Sequence, residues 1–537
     1  MAARRKYPAG IQSFERIRKD GYVYVDKTEV IYKMITEGVP YFLSRPRRFG
    51  KSLLISTLAA IFEGRRELFE AFTTEDGIQQ PQLFIATTNW KWKKYLVLRF
   101  DFSKCEEYTI EGMTSQIANT LSQYEQQYGI TPTTDDRSIR LENIILSAEK
   151  QSGQRVVILI DEYDTVMLHN LGEPAKEKAV RELFLGTFGL IKALDDHLQL
   201  VFITGISKFS QMGIFSRMNN LTNISMVPDY DTICGISEEE LSTAMHEDIE
   251  ALGEAKKKSY DEMLAELKEM YDGYHFSAGM TDMYNPYSLV NVFKTKKMGN
   301  YWFDRGTSSA LIATLAQMPP IDPAWLEGIR LPSTAFDLPL ESFDDPIPFL
   351  YQSGYLTVKD YIADRDMYRL GFPNGEVRTG FADCLYQHVS NCANNQERSA
   401  LLNAYFDFRD NDNLPSFIEA IRTFFAGVPY QQEKDNLNER YYHSLLYTLL
   451  VAFGADVIAE EPTAKGRADI TLRMPSGIYV MELKYNHSAD EALAQINERG
   501  YAEKYRLDGR PVTKVGIAFS SEERNITEWK AARSETI

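Results

Sequence analysis

The chain has 537 residues, 44% of them hydrophobic, with a formal net charge of −17 and four cysteines. A chain of this length is expected to form about three domains, and its acidic balance excludes indiscriminate coating of nucleic acid, which Lys and Arg would drive. Cys105, Cys234, Cys384 and Cys392 include no C-x-x-C pair, so neither a disulfide framework nor a zinc site is expected and a reducing compartment fits.

The chain opens on "MAARRKYPAGIQSFERIRKDGYVYVDKTEV", basic at first but without an apolar h-region. No later apolar run approaches the roughly 18 residues of a membrane span. A cytoplasmic protein with no membrane partner is expected. Four apolar segments then read as buried strands: "VPYFLS", "KYLVLRFDFS", "QRVVILIDEYD" and "LQLVFITGISKFS". Helical stretches separate them, the pattern of a parallel α/β sheet. The stretch from Gly235 to Phe276 is mostly helical, with Ser237 and Glu240 in capping-box spacing, and reads as a helical lid beside the sheet.

Proline-rich punctuation over residues 298–338 marks a domain boundary. After it, "DPIPFLYQSGYLTVKDYIADRDMYRLGFPN" predicts a helix and two short strands, the shape of a small winged-helix unit. The C-terminal hundred residues form a separate α/β pattern. It runs from the helix "NERYYHSLLYTLLVAFG" through the strand "ADVIAEEP", a hairpin of "GRADITLRM" and "GIYVMELK", and the helix "SADEALAQINERGYAEKYR" to a last strand "KVGIAFS". The expected domains are 1–300, 301–430 and 431–537, in an α/β multidomain chain.

Within "YFLSRPRRFGKSLLISTLAAIF", Gly50, Lys51 and Ser52 form the second half of a phosphate-binding loop. Such a loop aims backbone N–H groups at a β-phosphate, uses a lysine for the β/γ oxygens and a hydroxyl for Mg²⁺, all at a helix start. Arg45 stands where a glycine is usual, followed by Pro46, Arg47 and Arg48, and Arg48 and Phe49 join the residues expected at the nucleotide. About a hundred residues on, "VVILIDEYD" ends a strand in Asp161 and Glu162. Asp161 is placed to orient Mg²⁺, and Glu162 to activate the attacking water. Thr204, at the end of the next core strand, is the candidate for reading a γ-phosphate, with Lys208 close behind. Arg217 is a candidate arginine finger, outside any recognised motif.

With these residues in view, the chain resembles a bacterial family of AAA-ATPase-like proteins that carry a C-terminal nuclease domain of the PD-(D/E)XK superfamily. The resemblance rests on "GIQSFERIRKDGYVYVDKTEVI", "FLSRPRRFGKSLL", "ILIDEYD", "FITGISKFS", "MYDGYHF", "YNPYSL", "FPNGEV" and "GRADI" with "VMELK". They occur in this order over nearly the whole chain, and "RPRRFGKS" is the family's usual phosphate loop.

On the strand from Ile478 to Lys484, alternation places Glu482 and Lys484 on one face and Leu483 on the other. Asp469 lies on the partner strand. The superfamily resemblance implies that Asp469 and Glu482 bind a metal and that Lys484 orients water or stabilises developing charge. Glu439, Glu460 or Glu461 would complete the shell, and Gln495 would support it. Tyr442 and His443 read as core or interface residues, and "YDGYHF" as a packed turn held by Gly273. The implied activity is ATP binding and hydrolysis coupled to a Mg²⁺-dependent, or Mn²⁺-dependent, nuclease acting on DNA or RNA, in defence or mobile-element processing. Nucleotide-dependent association of copies of the chain is the expected companion. The rival readings are a nucleotide-switched scaffold with an inactive nuclease-like domain, and a plain ATPase capped by its C-terminal domain.

Overall fold

The computed structural model describes residues 5–38, 40–171, 173–207, 218, 220–303, 326–337, 346–390, 395–427 and 439–534. The chain divides into two compact units, Met1–Asp304 with Gly328–Glu376, and Arg305–Glu327 with Val377–Ile537.

In the first unit, β1 (Tyr41–Ser44) runs through a loop into the helix Lys51–Phe62. A small ribbon of β2 (Phe72–Thr73) and β3 (Gln79–Gln80) follows. Then come β4 (Leu96–Asp101), β5 (Val156–Asp161), β6 (Leu198–Gly205) and β7 (Thr222–Asn223). Their sheet has the order β4-β5-β6-β1-β7, and every pairing is parallel. The strands are continuous apolar runs because both faces are covered; every residue of β5 is buried. β6 lies between β1 and β5, so those two strands run about 10 Å apart, two strand spacings, and the loop after β1 and the carboxylate ending β5 come together at the same carboxyl edge. That edge is where open α/β sheets bind ligands.

The lid helices Glu238–Ala244, His246–Lys256, Tyr260–Tyr271 and Pro286–Thr295 share a core that includes Leu241, Ile249, Leu267, Leu289 and Phe293. The expected capping box at Ser237 and Glu240 is formed. β8 (Ile236–Ser237) pairs with β9 (Met283–Tyr284) at the base of the lid. Gly273 has φ 84°, and a Cβ there would lie 2.4 Å from the Pro373 carbonyl oxygen. The turn therefore requires glycine on two counts.

The expected helix and two strands are the helix Ile347–Ser353, β11 (Thr357–Ile362) and β12 (Met367–Gly371). A further strand, β10 (Arg330–Pro332), joins them in the order β10-β12-β11. This module belongs to the first unit. His275 donates its N–H to Thr357 Oγ1 at 2.8 Å, and Asn374 Nδ2 donates to the Asp272 carbonyl at 2.8 Å. The segment expected as a linker, 301–430, is thus shared between the two units.

The second unit contains β13 (Asp456–Thr463), β14 (Gly466–Met474), β15 (Gly477–Tyr485), β16 (Val512–Ser520) and β17 (Asn525–Ser534), paired in that order. Only β15 and β16 pair in parallel, and the helix Ala489–Arg499 makes the crossover that such a pair needs. The strand "KVGIAFS" is not the last, because β17 follows it. A helix that precedes residue 431 packs on this sheet as well. The helix Leu414–Gly427 presents Phe417, Ile418, Ile421 and Phe425 to the core that holds Leu472, Leu483 and Phe519, an amphipathic face that stabilises only when buried there.

Candidate active sites

Two residues bend the phosphate loop into the left-handed region, Arg48 at φ 67° and Gly50 at φ 94°. Gly50 is the N-cap of Lys51–Phe62, and no side chain caps that helix. Its first-turn N–H groups and the positive end of its dipole are therefore offered to an anion. The Lys51 ammonium is buried and donates to the carbonyls of Arg45 at 2.8 Å and Pro46 at 2.9 Å. Burial pulls its pKa down, against the charges of Glu162, Asp161 and Asp164.

Arg45 explains the missing glycine. It needs no left-handed backbone, and its buried guanidinium donates to the carbonyls of Ser225 at 2.8 Å and Tyr230 at 3.0 Å while lying 4.1 Å from the centre of the Phe276 ring. The loop is held from behind by this side chain. Phe49 packs against Tyr274 and Phe276, so only its main chain is left for a nucleotide. The Arg48 guanidinium donates to the carbonyls of Tyr301 and Trp302 and stacks 4.3 Å over Tyr287.

Asp161 ends β5 with 5% exposure, and its Oδ1 has no hydrogen-bond partner. Burial pushes its pKa up to about 6; the neighbouring Ser52 hydroxyl opposes this and the Glu162 charge adds to it. A buried carboxylate oxygen left unpartnered is costly, and a divalent cation shared with Ser52 would satisfy it. Glu162 follows at φ 50°, its carboxylate accepting from Thr165 Oγ1 at 3.2 Å. Left-handed backbone in a residue with a Cβ is strain of the kind found at functional sites.

The Thr204 hydroxyl is fully buried and donates to the Leu43 carbonyl at 2.9 Å, so reading a γ-phosphate would require it to give up that bond. Lys208 and Arg217 lie outside the described residues. Asp164 escaped the sequence reading although it closes the same "DEYD" run. Its Oδ2 accepts the N–H groups of Ile206 and Ser207 and the Ser207 hydroxyl, pinning the chain that leaves β6. Beside Gly50 an apolar cavity of about 100 Å³ is lined by Val23, Tyr24, Leu53, Cys234 and Val290 among others.

In the second unit the β14–β15 ladder runs to the pair Ile470 and Met481, and Asp469 lies one step beyond. Its Oδ2 accepts the Leu483 N–H at 2.8 Å, and its carbonyl is 2.8 Å from His443 Nε2. Glu482 is 1% exposed. Its Oε1 accepts from Lys484 Nζ at 3.1 Å and from Gln495 Nε2, while Oε2 has no partner. Burial, and next the charge of Asp469, raise the pKa of Glu482. Burial likewise raises Asp469, with the Leu483 N–H opposing. Burial works against the charge of Lys484, but Glu482, Glu439 and Asp469 outweigh it and its pKa is raised.

Glu439 joins this group, 3.7 Å from Lys484 Nζ and accepting the Tyr485 N–H at 3.2 Å. Glu461 does not. It is bound by Lys504 at 2.6 Å and by the Tyr505 hydroxyl, and its carboxyl is held below the usual range although burial opposes this. Glu460 is exposed, at φ 49°, and pairs loosely with Arg467. Tyr442 stacks on Phe519 in the core as expected. His443 is the residue the sequence reading undervalued; its spacing of four from Glu439 puts both on one helix face. A cleft of about 550 Å³, lined by Lys465, Lys484, Gln495, Arg499 and Tyr501 among others, opens beside Lys484.

Among the described residues no three His, Cys, Asp or Glu side chains gather closely enough to hold a metal on their own. An ion at either site would need water or phosphate oxygens as well, as Mg²⁺ usually does. The pair Asp469 and Glu482 fits that need, because one buried oxygen is unpartnered and like charges are pressed together. No helix among the described residues is long and apolar enough to cross a membrane.

Residues 8–215 match the family model described as "Predicted AAA-ATPase", and residues 437–529 match "PD-(D/E)XK nuclease superfamily". The chain is also 32% identical over 538 residues to a protein of Azotobacter chroococcum mcd 1 described as "Uncharacterized protein in vnfD 5'region", with 98% of each chain covered. The parallel sheet with its phosphate loop, the carboxylate pair on the C-terminal hairpin and these matches agree: the chain belongs to the family of AAA-ATPase-like proteins with a C-terminal PD-(D/E)XK nuclease superfamily domain.

Proposed function

We propose that the first unit binds and hydrolyses ATP with Mg²⁺ and that the second is a Mg²⁺-dependent phosphodiesterase acting on DNA or RNA in the cytoplasm. In the first unit, Lys51 would exchange the Arg45 and Pro46 carbonyls for β/γ-phosphate oxygens, a stronger, charge-assisted pairing. The apolar cavity beside Gly50 would take the base. Ser52 and Asp161 would hold Mg²⁺, and Glu162 would orient the attacking water.

The observation that carries the nuclease reading is the buried, unpartnered Glu482 Oε2, with Asp469 raising the charge cost and Lys484 at 3.1 Å from the other oxygen. Asp469 and Glu482 would hold Mg²⁺ or Mn²⁺, and Gln495 would keep the Glu482 carboxylate in place. When bound, such an ion polarises a phosphoryl oxygen and lowers the pKa of a bound water. Lys484 would then hold that water or neutralise charge on the scissile phosphate. Defence against foreign nucleic acid or processing of mobile DNA would use this pairing of activities, an inference from analogy. Calorimetric titration of the full-length protein with ATP and Mg²⁺, then with Mg²⁺ or Mn²⁺ alone, tests both halves. Heat of binding at both sites supports the reading, and silence in either titration removes that half. A nucleotide-switched scaffold would bind ATP and still leave nucleic acid uncut.

A further inference from the structure

Three consecutive residues of the phosphate loop rest on one support built from distant parts of the first unit. Pro46 lies so close to Gly354 that a Cβ there would be 2.5 Å from the Pro46 Cβ. The Arg47 carbonyl accepts the indole N–H of Trp302 at 3.2 Å. Arg48, held in a left-handed conformation that a Cβ disfavours, donates to the carbonyls of Tyr301 at 2.5 Å and Trp302 at 2.7 Å.

Trp302 is fully buried, and its own N–H donates to Glu376 Oε1 at 2.7 Å. The other Glu376 oxygen accepts the Ser288 hydroxyl at 2.7 Å. Ser288 follows Tyr287, the ring under Arg48. The contacts close a circuit from the loop through Trp302, Glu376 and the helix Pro286–Thr295 back to the loop. Glu376 is 1% exposed; burial pushes its pKa up to about 7, with the Trp302 N–H, the Ser288 hydroxyl and the Arg48 charge pulling it back. It also stands in the first turn of the helix Gly375–Ser390. Glu376 is the last residue of the first unit in this part of the chain, and Val377 belongs to the second.

We infer that Glu376 is a positioning residue through which occupancy of the phosphate loop is transmitted to the helix Gly375–Ser390, along which the chain enters the nuclease-like unit. The inference rests on the nucleotide reading above. A ligand shifts a conformation only by contacting its alternatives differently. Arg48 supplies the difference, because an anionic phosphate is a stronger partner for a guanidinium than neutral carbonyls. Drawn toward a phosphate, it releases Tyr301 and Trp302, and Trp302 is the group that anchors Glu376.

Hydrogen–deuterium exchange of the full-length protein, with and without a slowly hydrolysed ATP analogue, tests this. In the wild type, the analogue should slow exchange over residues 45–52 and speed it over residues 301–303 and 375–385 by about threefold or more, within the range of local opening. In Glu376→Gln the loop should still be protected while the response at 375–385 disappears. Ser288→Ala, which removes the other anchor of Glu376, should shrink the same response. A protected loop with no wild-type change at 375–385, or an undiminished response in Glu376→Gln, would overturn the inference. If Glu376→Gln does not fold, the wild-type comparison and Ser288→Ala decide. No protection of the loop at millimolar analogue would overturn the nucleotide reading itself, and the link with it.

Discussion

The Leu483 N–H donates to Asp469 Oδ2 at 2.8 Å where the β14–β15 ladder has ended. One hydrogen bond that would otherwise continue the sheet instead fixes a carboxylate against the strand that carries Glu482. Two buried carboxylates on neighbouring strands repel each other. The sheet maintains that repulsion through main-chain geometry, and a divalent cation would relieve it.

Metal affinity should therefore depend on pH. Burial, and for Glu482 the charge of Asp469, raise both carboxyls above the usual range, so protons compete with a cation for the metal-free pair. Lowering the pH from about 8 to about 6 should weaken Mg²⁺ or Mn²⁺ binding, by up to about tenfold per unit for each proton displaced. Calorimetry in buffers of different ionisation enthalpy would detect the released proton; pH-independent affinity with no proton release contradicts this.

Lys51→Ala should lower ATP affinity by at least about tenfold, since a charge-assisted contact to phosphate is lost. Glu162→Gln should bind ATP as the wild type does and hydrolyse it on the order of 10² times more slowly, the usual effect of losing a general base. Equal hydrolysis in Glu162→Gln and wild type would remove Glu162 from the mechanism.

Thr204→Val separates two roles. With the hydroxyl committed to the Leu43 carbonyl, the substitution should cost about 1–3 kcal/mol of stability and leave the ATP turnover of the folded protein within about twofold, well short of a lost transition-state contact. A stable variant with turnover lowered on the order of 10²-fold would support the γ-phosphate role.

The local geometry of both candidate sites was legible where it follows from short-range spacing. Gly50 to Ser52 open a helix after a strand, Asp161 and Glu162 close one, and Glu482 and Lys484 share a face by the period of two. The remainder depends on partners far along the chain. What Arg45 does for the loop could not be read locally, because Ser225 and Tyr230, which hold it, come about 180 residues later. Strand parity could not show that the Thr204 hydroxyl faces β1, and Glu461 was indistinguishable from a ligand until Lys504 and Tyr505 folded onto it. β17 was missed because Glu528 and Lys530 break the apolar pattern, as suits an edge strand. The helix Leu414–Gly427 has a clear amphipathic face, but a helix face does not name the sheet it will cover.

The most direct test of the account is cleavage of end-labelled single- and double-stranded DNA and RNA by full-length protein with Mg²⁺ or Mn²⁺, each with and without ATP. Wild type should cut at least one of these substrates, EDTA should stop it, and Asp469→Ala or Glu482→Ala should abolish it by removing a ligand to the ion. Lys484→Ala should retain metal binding and cut at least about 10²-fold more slowly, the loss typical of one group that stabilises transition-state charge. Metal-dependent cleavage that persists undiminished in the Asp469→Ala, Glu482→Ala, Lys484→Ala triple variant would contradict the assignment, as would the absence of any cleavage under all these conditions.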